Sequence, residues 1–420
     1  MKKIISILLC LVFAISMLAS CGSEEVGELL DESMKGYEKE EITLNLYVIG
    51  SENSSANATV NARISNYCQK KYKTKLNVVY CSEENYASTV TSNLDAAKAA
   101  IEAGETYNMK PDIFIINSNQ MMHELYEKGH LADITEFFYP EIYEQRIEIY
   151  PEQKNKFHAE LIKNCEGLHN QIAETLIDAS VLYEDIYDET TMQNITNTKH
   201  YCVPNNRVVG QYEYLLIHRD TAEEIGYVGA DNQFDLYKTY EDTADLRAKI
   251  EAKGLNVSDY VRVVYGKYEH KAMYENGNNP LDPTDTKKYA CNIISYPEVS
   301  GFYDKVTEYA PNVESVFDSA FAVNSLVDVD RAMEIVYALN TDVTLINHLY
   351  YGVQDTNYTV DLKTGMIDTT YAQIKDENKY FMDSKYIGDA FKLHLSPVWN
   401  EADRANGKKQ NDASVIYTAD

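Results

Sequence analysis

The sequence predicts an α/β protein built on an open, largely parallel sheet, in a chain long enough for two domains. Three observations predict it. Between residues 42 and 117, strand-like and helix-like stretches alternate, an order that yields parallel strands joined by crossover helices. The third strand-like stretch, Pro111-Asp112-Ile113-Phe114-Ile115-Ile116-Asn117, is a near-continuous apolar run, which suits a sheet covered on both faces. The chain has 420 residues, more than one hydrophobic core usually supports.

The elements follow in order. Ile42, Leu44, Leu46 and Val48 alternate with period two and form the first strand. Gly50-Ser51-Glu52-Asn53-Ser54-Ser55 is a turn offering several helix N-caps. Val60, Ile64 and Tyr67 or Cys68 share one face of the next helix, which ends near Lys71. Lys75–Tyr80 is the second strand, and a helix from about Ser88 to Ala103 closes at Gly104. Residues 141–200 read as mostly helical. A strand pair is expected around Tyr201-Cys202-Val203-Pro204 and Tyr214-Leu215-Leu216-Ile217, with a loop at Asn276-Gly277-Asn278-Asn279-Pro280. Phe317–Ser325 reads as a further strand, and Val329–Leu339 as a helix beginning after Asp328. There is no internal repeat.

The formal charge is −28, from 66 acidic against 38 basic residues, and such a field repels nucleic acid and anionic membrane surfaces. Signatures of catalysis are missing. His123-Glu124-Leu125-Tyr126-Glu127 begins like a helical zinc site, but Glu127 stands where the second histidine belongs, so an ordinary helix face is the better account. No Gly-rich phosphate loop or Gly-x-Ser-x-Gly elbow occurs. No cofactor, metal or catalytic residue is therefore expected. Beyond the N-terminal segment stand Cys68, Cys81, Cys165, Cys202 and Cys291, an odd number at irregular spacings, best read as buried thiols with at most one or two disulfides.

Met1-Lys2-Lys3 precedes an apolar run from Ile4 to Leu18, too short for a comfortable membrane span and typical of a secretory signal peptide. Its ending, Leu18-Ala19-Ser20-Cys21, resembles the lipobox of bacterial lipoproteins. That resemblance implies removal of residues 1–20, acylation of Cys21 and a lipid anchor on the extracytoplasmic face, a Gram-positive surface being favoured. Residues 21–40, rich in Glu, Gly and Ser, read as a flexible tether.

Several segments resemble extracellular solute-binding proteins of ABC importers, family 1, of the carbohydrate type. Pro111-Asp112-Ile113-Phe114, a helix to Glu127-Lys128-Gly129-His130, and Leu131-Ala132-Asp133-Ile134-Thr135 repeat a pattern of that family. Tyr201-Cys202-Val203-Pro204, Leu215-Leu216-Ile217-His218-Arg219-Asp220 and Leu349-Tyr350-Tyr351-Gly352-Val353 with Tyr358-Thr359-Val360-Asp361 extend the likeness. It implies a two-lobe, periplasmic-binding-protein-like (type II) fold with a ligand cleft between the lobes. Residues 41–210 plus 324–358 would form the first lobe, and 211–323 plus 359–420 the second. Crossovers are expected near Val209–Glu213 and Ala320–Asn324, with a third near Tyr358. Relatives usually continue for several helices past a segment like Gly407-Lys408-Lys409-Gln410-Asn411-Asp412, whereas this sequence ends at Asp420.

On that fold, loops after the strands supply ligand contacts: Ser51, Glu52 and Asn53; Asn117 and Ser118; Asn205 and Asn206; Gln211, Tyr212 and Glu213. Amides and carboxylates can pair with hydroxyls in both donor and acceptor senses. Tyr350, Tyr351 and Trp399 are candidates to stack on a sugar ring, Trp399 being the one tryptophan beside 35 tyrosines. The expected function is capture of a small solute, a carbohydrate or polyol, by a monomeric receptor that delivers it to a membrane permease. The alternatives are a sensory or interaction lipoprotein with the same fold, or a surface glycosidase.

Overall fold

The computed structural model describes residues 39–188, 193–209, 212–226, 243–266, 270–280, 282–294, 312–313, 316–368, 374–412 and 415–416. Cys21, the signal segment and the tether before residue 39 lie outside them, as does Gln211. The strands are β1 (Ile42–Ile49), β2 (Thr74–Cys81), β3 (Ile113–Ile116), β4 (Val181–Asp188), β5 (Gln193–His200), β6 (Cys202–Pro204), β7 (Tyr212–His218), β8 (Val261–Gly266), β9 (Tyr289–Ile294), β10 (Asn312–Val313), β11 (Ala320–Val323), β12 (Thr359–Val360), β13 (Ile367–Asp368) and β14 (Val415–Ile416).

The alternation at the start of the sequence produces the expected units. β1 pairs in parallel with β2 and β3, with helices Ser54–Tyr72 and Glu83–Glu102 between them. Asn53 caps the first of these helices by accepting from Ala56 N, and Val60, Ile64 and Cys68 form its buried face. All four residues of β3 are buried, as its continuous apolar run predicts.

The sheet is not purely parallel. Its order is β2-β1-β3-β11-β6, and β11 runs antiparallel to both β3 and β6. The expected pairing of Tyr201–Pro204 with Tyr214–Ile217 does not form: β6 closes the first sheet, while β7 is the centre of a separate sheet ordered β8-β7-β9. Both runs are short and apolar, and such runs do not name their partners. Residues 181–200, expected to be helical, form the antiparallel hairpin β4–β5, in keeping with β-branched and aromatic residues such as Val181, Tyr183, Ile186 and Thr198.

One large core fills the first lobe and draws on distant parts of the chain, from Leu44 through Cys202 and from Val316 to Leu393. Residues 359–420, expected in the second lobe, here give Ile367, Tyr380, Met382, Tyr386 and Ile387 to this core. Ala320–Val323, expected at a crossover, is the buried strand β11, and Tyr358 is buried in the same core. The described residues of the second lobe form two small apolar clusters. Tyr214, Leu216, Tyr274, Tyr289 and Cys291 cover one face of its sheet, and Leu215, Ile217, Ala222, Leu246, Ile250 and Ala290 the other. The period-two alternation along β7 divides these residues between the faces.

Polar groups tie the large core together. Arg331, nearly buried, donates to the carbonyls of Glu40, Tyr72 and Lys73 and to Thr74 Oγ1 at 2.8–2.9 Å. It thus joins the entry to β1, the end of helix Ser54–Tyr72 and the start of β2. The five cysteines beyond the N-terminal segment are free thiols; Cys68, Cys165, Cys202 and Cys291 are buried and Cys81 half-buried. Burial pushes the Cys202 thiol up to about 12.

His158 sits between two carboxylates, with Nδ1 2.5 Å from Asp330 Oδ1 and Nε2 3.1 Å from Glu136 Oε2. Burial disfavours its charge, but hydrogen bonds and attraction from both carboxylates prevail and raise its pKa to about 9. A raised histidine contributes stability that is whole below its unfolded pKa and fades as pH rises through the folded one. Urea unfolding should therefore lose on the order of 2 kcal/mol between pH 6.5 and pH 9.5 in the native protein. The loss should vanish in His158→Gln; equal slopes in both proteins would refute this assignment.

Candidate functional site

The carboxyl ends of β1, β2, β3 and β6 lie on one edge of the first sheet, where β11 begins. Open α/β sheets bind ligands outside this edge. Here the edge is dressed by segment 374–393. Asn53 Nδ2 donates to the carbonyls of Asp376 and Lys379 at 2.8 and 2.9 Å. Met382 packs against Gly50 so closely that a Cβ there would lie 2.1 Å from its sulfur. The Tyr386 hydroxyl reaches Glu83 Oε1 at 3.3 Å, and Asn205 Nδ2 donates to Lys385 O at 2.9 Å. The Ser319 hydroxyl donates to the same carbonyl.

A pocket of about 340 Å³ opens at the β6 end of this edge. Its wall is built from Asn206, the loop around Gln171, the turn Asp389–Lys392 and the last turn of helix Glu401–Asp412. Asp389 and Asn411 are nearly fully buried, and Phe391 supplies an aromatic wall. Asn206 Nδ2 donates to Gln171 O at 2.7 Å, and Asp389 Oδ1 accepts from Phe391 N at 2.9 Å. Burial pushes the Asp389 carboxyl up to about 6, against the pull of Lys392 and Lys408 and of hydrogen bonds from Asn206 and Phe391. The Gln171 Oε1 atom is buried with no hydrogen-bond partner among the described residues.

The pocket abuts the links between the lobes. Asn411 Nδ2 donates to Arg207 O at 2.6 Å, and its Oδ1 accepts from Val209 N at 3.1 Å. Arg207 Nη2 bonds both oxygens of Asp318, at 2.7 and 2.8 Å, joining the residues that leave the first lobe to those that return. Beyond helix Glu401–Asp412, β14 pairs with β10.

Several of the residues expected from the sequence to bind ligand are committed to holding the fold. Ser51 is buried, its carbonyl accepting from Asn57 Nδ2 at 2.6 Å, while Asn53 and Ser118 cap helices. Asn205 spends its amide nitrogen on Ser319 and Lys385, although its Oδ1, like that of Asn117, is buried without a partner among the described residues. Tyr351 is buried and donates to His394 O at 3.1 Å, with half-buried Tyr350 packed on it at 4.5 Å. The backbone of Tyr212 and Glu213 belongs to β7; their side chains lie outside the described residues. Glu52 is exposed at the edge. Asn206 lines the pocket, and Trp399 stands behind Phe391 with ring centroids 5.8 Å apart. Gln171, Asp389, Phe391, Lys408 and Asn411 were not nominated, because they come from stretches far apart in sequence. The Asp389 signal, an aspartate opening a short turn, says cap rather than site. His123 and Glu127 form an exposed helical pair, 3.3 Å apart. Among the described residues no group of His, Cys, Asp or Glu could hold a metal ion.

The turn carrying Asp389 depends on Gly388. Its φ is +100°, and a Cβ would lie 2.1 Å from the backbone oxygen of Leu339. Gly388→Ala should therefore cost at least about 2 kcal/mol in chemical unfolding. Stability within a few tenths of a kcal/mol of the parent would show that this approach is not needed.

Among solved structures, the chain is similar to the N-glycan transport solute-binding protein of Streptococcus pneumoniae, at 15% identity and a TM-score of 0.51. The match covers 90% of this chain and 84% of that one. The same protein in complex with Man1GlcNAc matches at 16% identity and a TM-score of 0.46, covering 89% and 84%. A family 1 extracellular solute-binding protein from Alicyclobacillus acidocaldarius matches at 10% identity and a TM-score of 0.36, covering 75% and 78%. No family model and no curated protein matches the sequence. The first of these likenesses shows the fold, that of a periplasmic-binding-protein-like solute-binding protein.

Proposed function

We propose that this chain is the solute-binding receptor of an ABC importer, taking a hydroxylated solute of the carbohydrate or polyol class and passing it to a membrane permease. The observation that carries the reading is the pocket beside β6, where amides, a buried carboxylate and an aromatic wall converge at the ligand edge of the sheet. Each hydroxyl of a sugar both donates and accepts; side-chain amides answer both needs, and Asp389 and the unpaired Gln171 oxygen accept. The fold supports the reading, since the Streptococcus pneumoniae protein of the same architecture is named for N-glycan transport. An extracytoplasmic location, a monomeric state and anchoring through Cys21 belong to the same proposal; no helix among the described residues is long and apolar enough to cross a membrane.

The mechanism asks nothing of catalysis. Ligand in the pocket, beside the links between the lobes, biases an open–closed equilibrium, and the closed form docks on the permease. Arg207, Asp318 and Asn411 sit where that change would be felt.

Thermal-shift titration with a panel of saccharides and polyols tests the proposal, since ligand at 100 times its Kd adds about 2.7 kcal/mol of stability. Asp389→Asn and Asn206→Ala should each weaken binding of the responding sugar about tenfold or more while the fold survives. Because the Asp389 carboxylate is ionised above about pH 6, affinity should also decline as pH falls from 7 to 5. Wild-type affinity in both variants would place the ligand elsewhere.

A further inference from the structure

Helix Glu401–Asp412 is seated without an apolar face. Its buried residues are Gly407, Gln410 and Asn411, and every other position is charged, an asparagine or an alanine. A surface helix ordinarily docks by a stripe of large apolar side chains. Here a glycine stands in the helix interior, where it is disfavoured, because two neighbours come too close for anything larger. A Cβ on Gly407 would lie 2.5 Å from Val208 Cγ2 and 3.1 Å from Phe391 Cε1. Val208 belongs to the connection that leaves the first lobe, and Phe391 is the aromatic wall of the pocket. Gly407 therefore fills the space between link and wall.

The same turn holds both connections by polar contacts. Both amide atoms of Asn411 are spent on the backbone of Arg207 and Val209, on either side of Val208. Its carbonyl accepts from the Thr175 hydroxyl on the pocket's helical wall, at 3.4 Å. Lys408 lies over the Phe391 ring, 5.8 Å from its centroid, and Arg404 Nη2 donates to Leu393 O at 2.7 Å. Past Asp412 the chain becomes β14, paired in parallel with β10, which precedes the incoming connection at Asp318. A turn seated in this way can tilt without exposing apolar surface, so small forces move it.

We infer that the last turn of helix Glu401–Asp412 transmits pocket occupancy to the links between the lobes, with Gly407 and Asn411 as positioning residues. Lys408, Asn411 and Asp412 face the pocket, while Asn411 and Gly407 hold residues 207–209 from the other side. A solute that draws the turn toward it draws the outgoing link as well, which gives the two events a shared free energy. The inference rests on the receptor reading above and adds to it the residues through which a bound solute acts on the lobes.

Small-angle X-ray scattering of the solute-free protein, joined to titration with the sugars that respond in the thermal-shift panel, tests the inference. Neither Gly407 nor Val208 lines the pocket, so substitutions there leave its contacts in place. Gly407→Ala should crowd Val208 and shift the pair-distance distribution of the solute-free protein. Adding Val208→Ala should return the curve to that of the wild type. Dissociation constants should change by about threefold or more in Gly407→Ala, by one common factor for every sugar that binds, and recover in the double variant. Should Gly407→Ala not fold, Val208→Leu crowds the same contact from the link side and takes its place. Scattering identical to wild type in a folded variant would overturn the inference. So would a change in affinity that differs between sugars or that Val208→Ala does not reverse. A panel in which no sugar responds would instead overturn the receptor reading, and the scattering curves alone would then decide whether this turn sets the spacing of the lobes.

Discussion

The return of the chain into the first sheet is the constraint on which the rest of the structure depends. After building the second lobe, the chain comes back as β11 and inserts between β3 and β6, antiparallel to both. Without that insertion β6 would have no neighbour and the central apolar strand β3 would lose one side. The insertion also brings Asp318 and Ser319, at its head, against Arg207 and Asn205, at the end of β6. The outgoing and incoming connections are thus held side by side, the arrangement in which two lobes can move about a common line.

A second consequence follows from segment 374–393. Loops at the carboxyl edge of an open sheet are usually the ligand-binding surface, and the backbone groups they expose need partners. Here the segment supplies many of those partners, through the carbonyls of Asp376, Lys379 and Lys385. The edge is therefore tied down over much of its length and left open at the β6 end. The groups that face out at this edge are therefore those of the segment that dresses it more than those of the strand loops.

Much of the fold was legible in the sequence. The alternation of Ile42, Leu44, Leu46 and Val48, the helix face of Val60, Ile64 and Cys68, and the apolar run at Ile113–Ile116 all report local periodicity, and the structure follows them. Partner choice was not legible. Tyr201–Pro204 and Tyr214–Ile217 are both short apolar strands, and nothing local says that they belong to different sheets. The hairpin at 181–200 was hidden behind the helices that precede it, because its charged residues blur the period of two. The site was less legible still. Asn53 and Ser118 are good ligand candidates by residue type and better helix caps by position, and capping won. Asp389, Gln171 and Asn411 become neighbours only when the last helix folds back on the end of β6, an event with no local signature.

The large core is discontinuous in sequence, and that has a bearing on synthesis. The residues between 212 and 294 can pair β7, β8 and β9 as soon as they emerge, and those described there form two small apolar clusters. The first sheet must wait for β11, and its ligand edge for residues near 390. Until then β3 and β6 present unpaired, apolar edges. A chain wired in this way completes its dominant core only after the strands of the second lobe have been made.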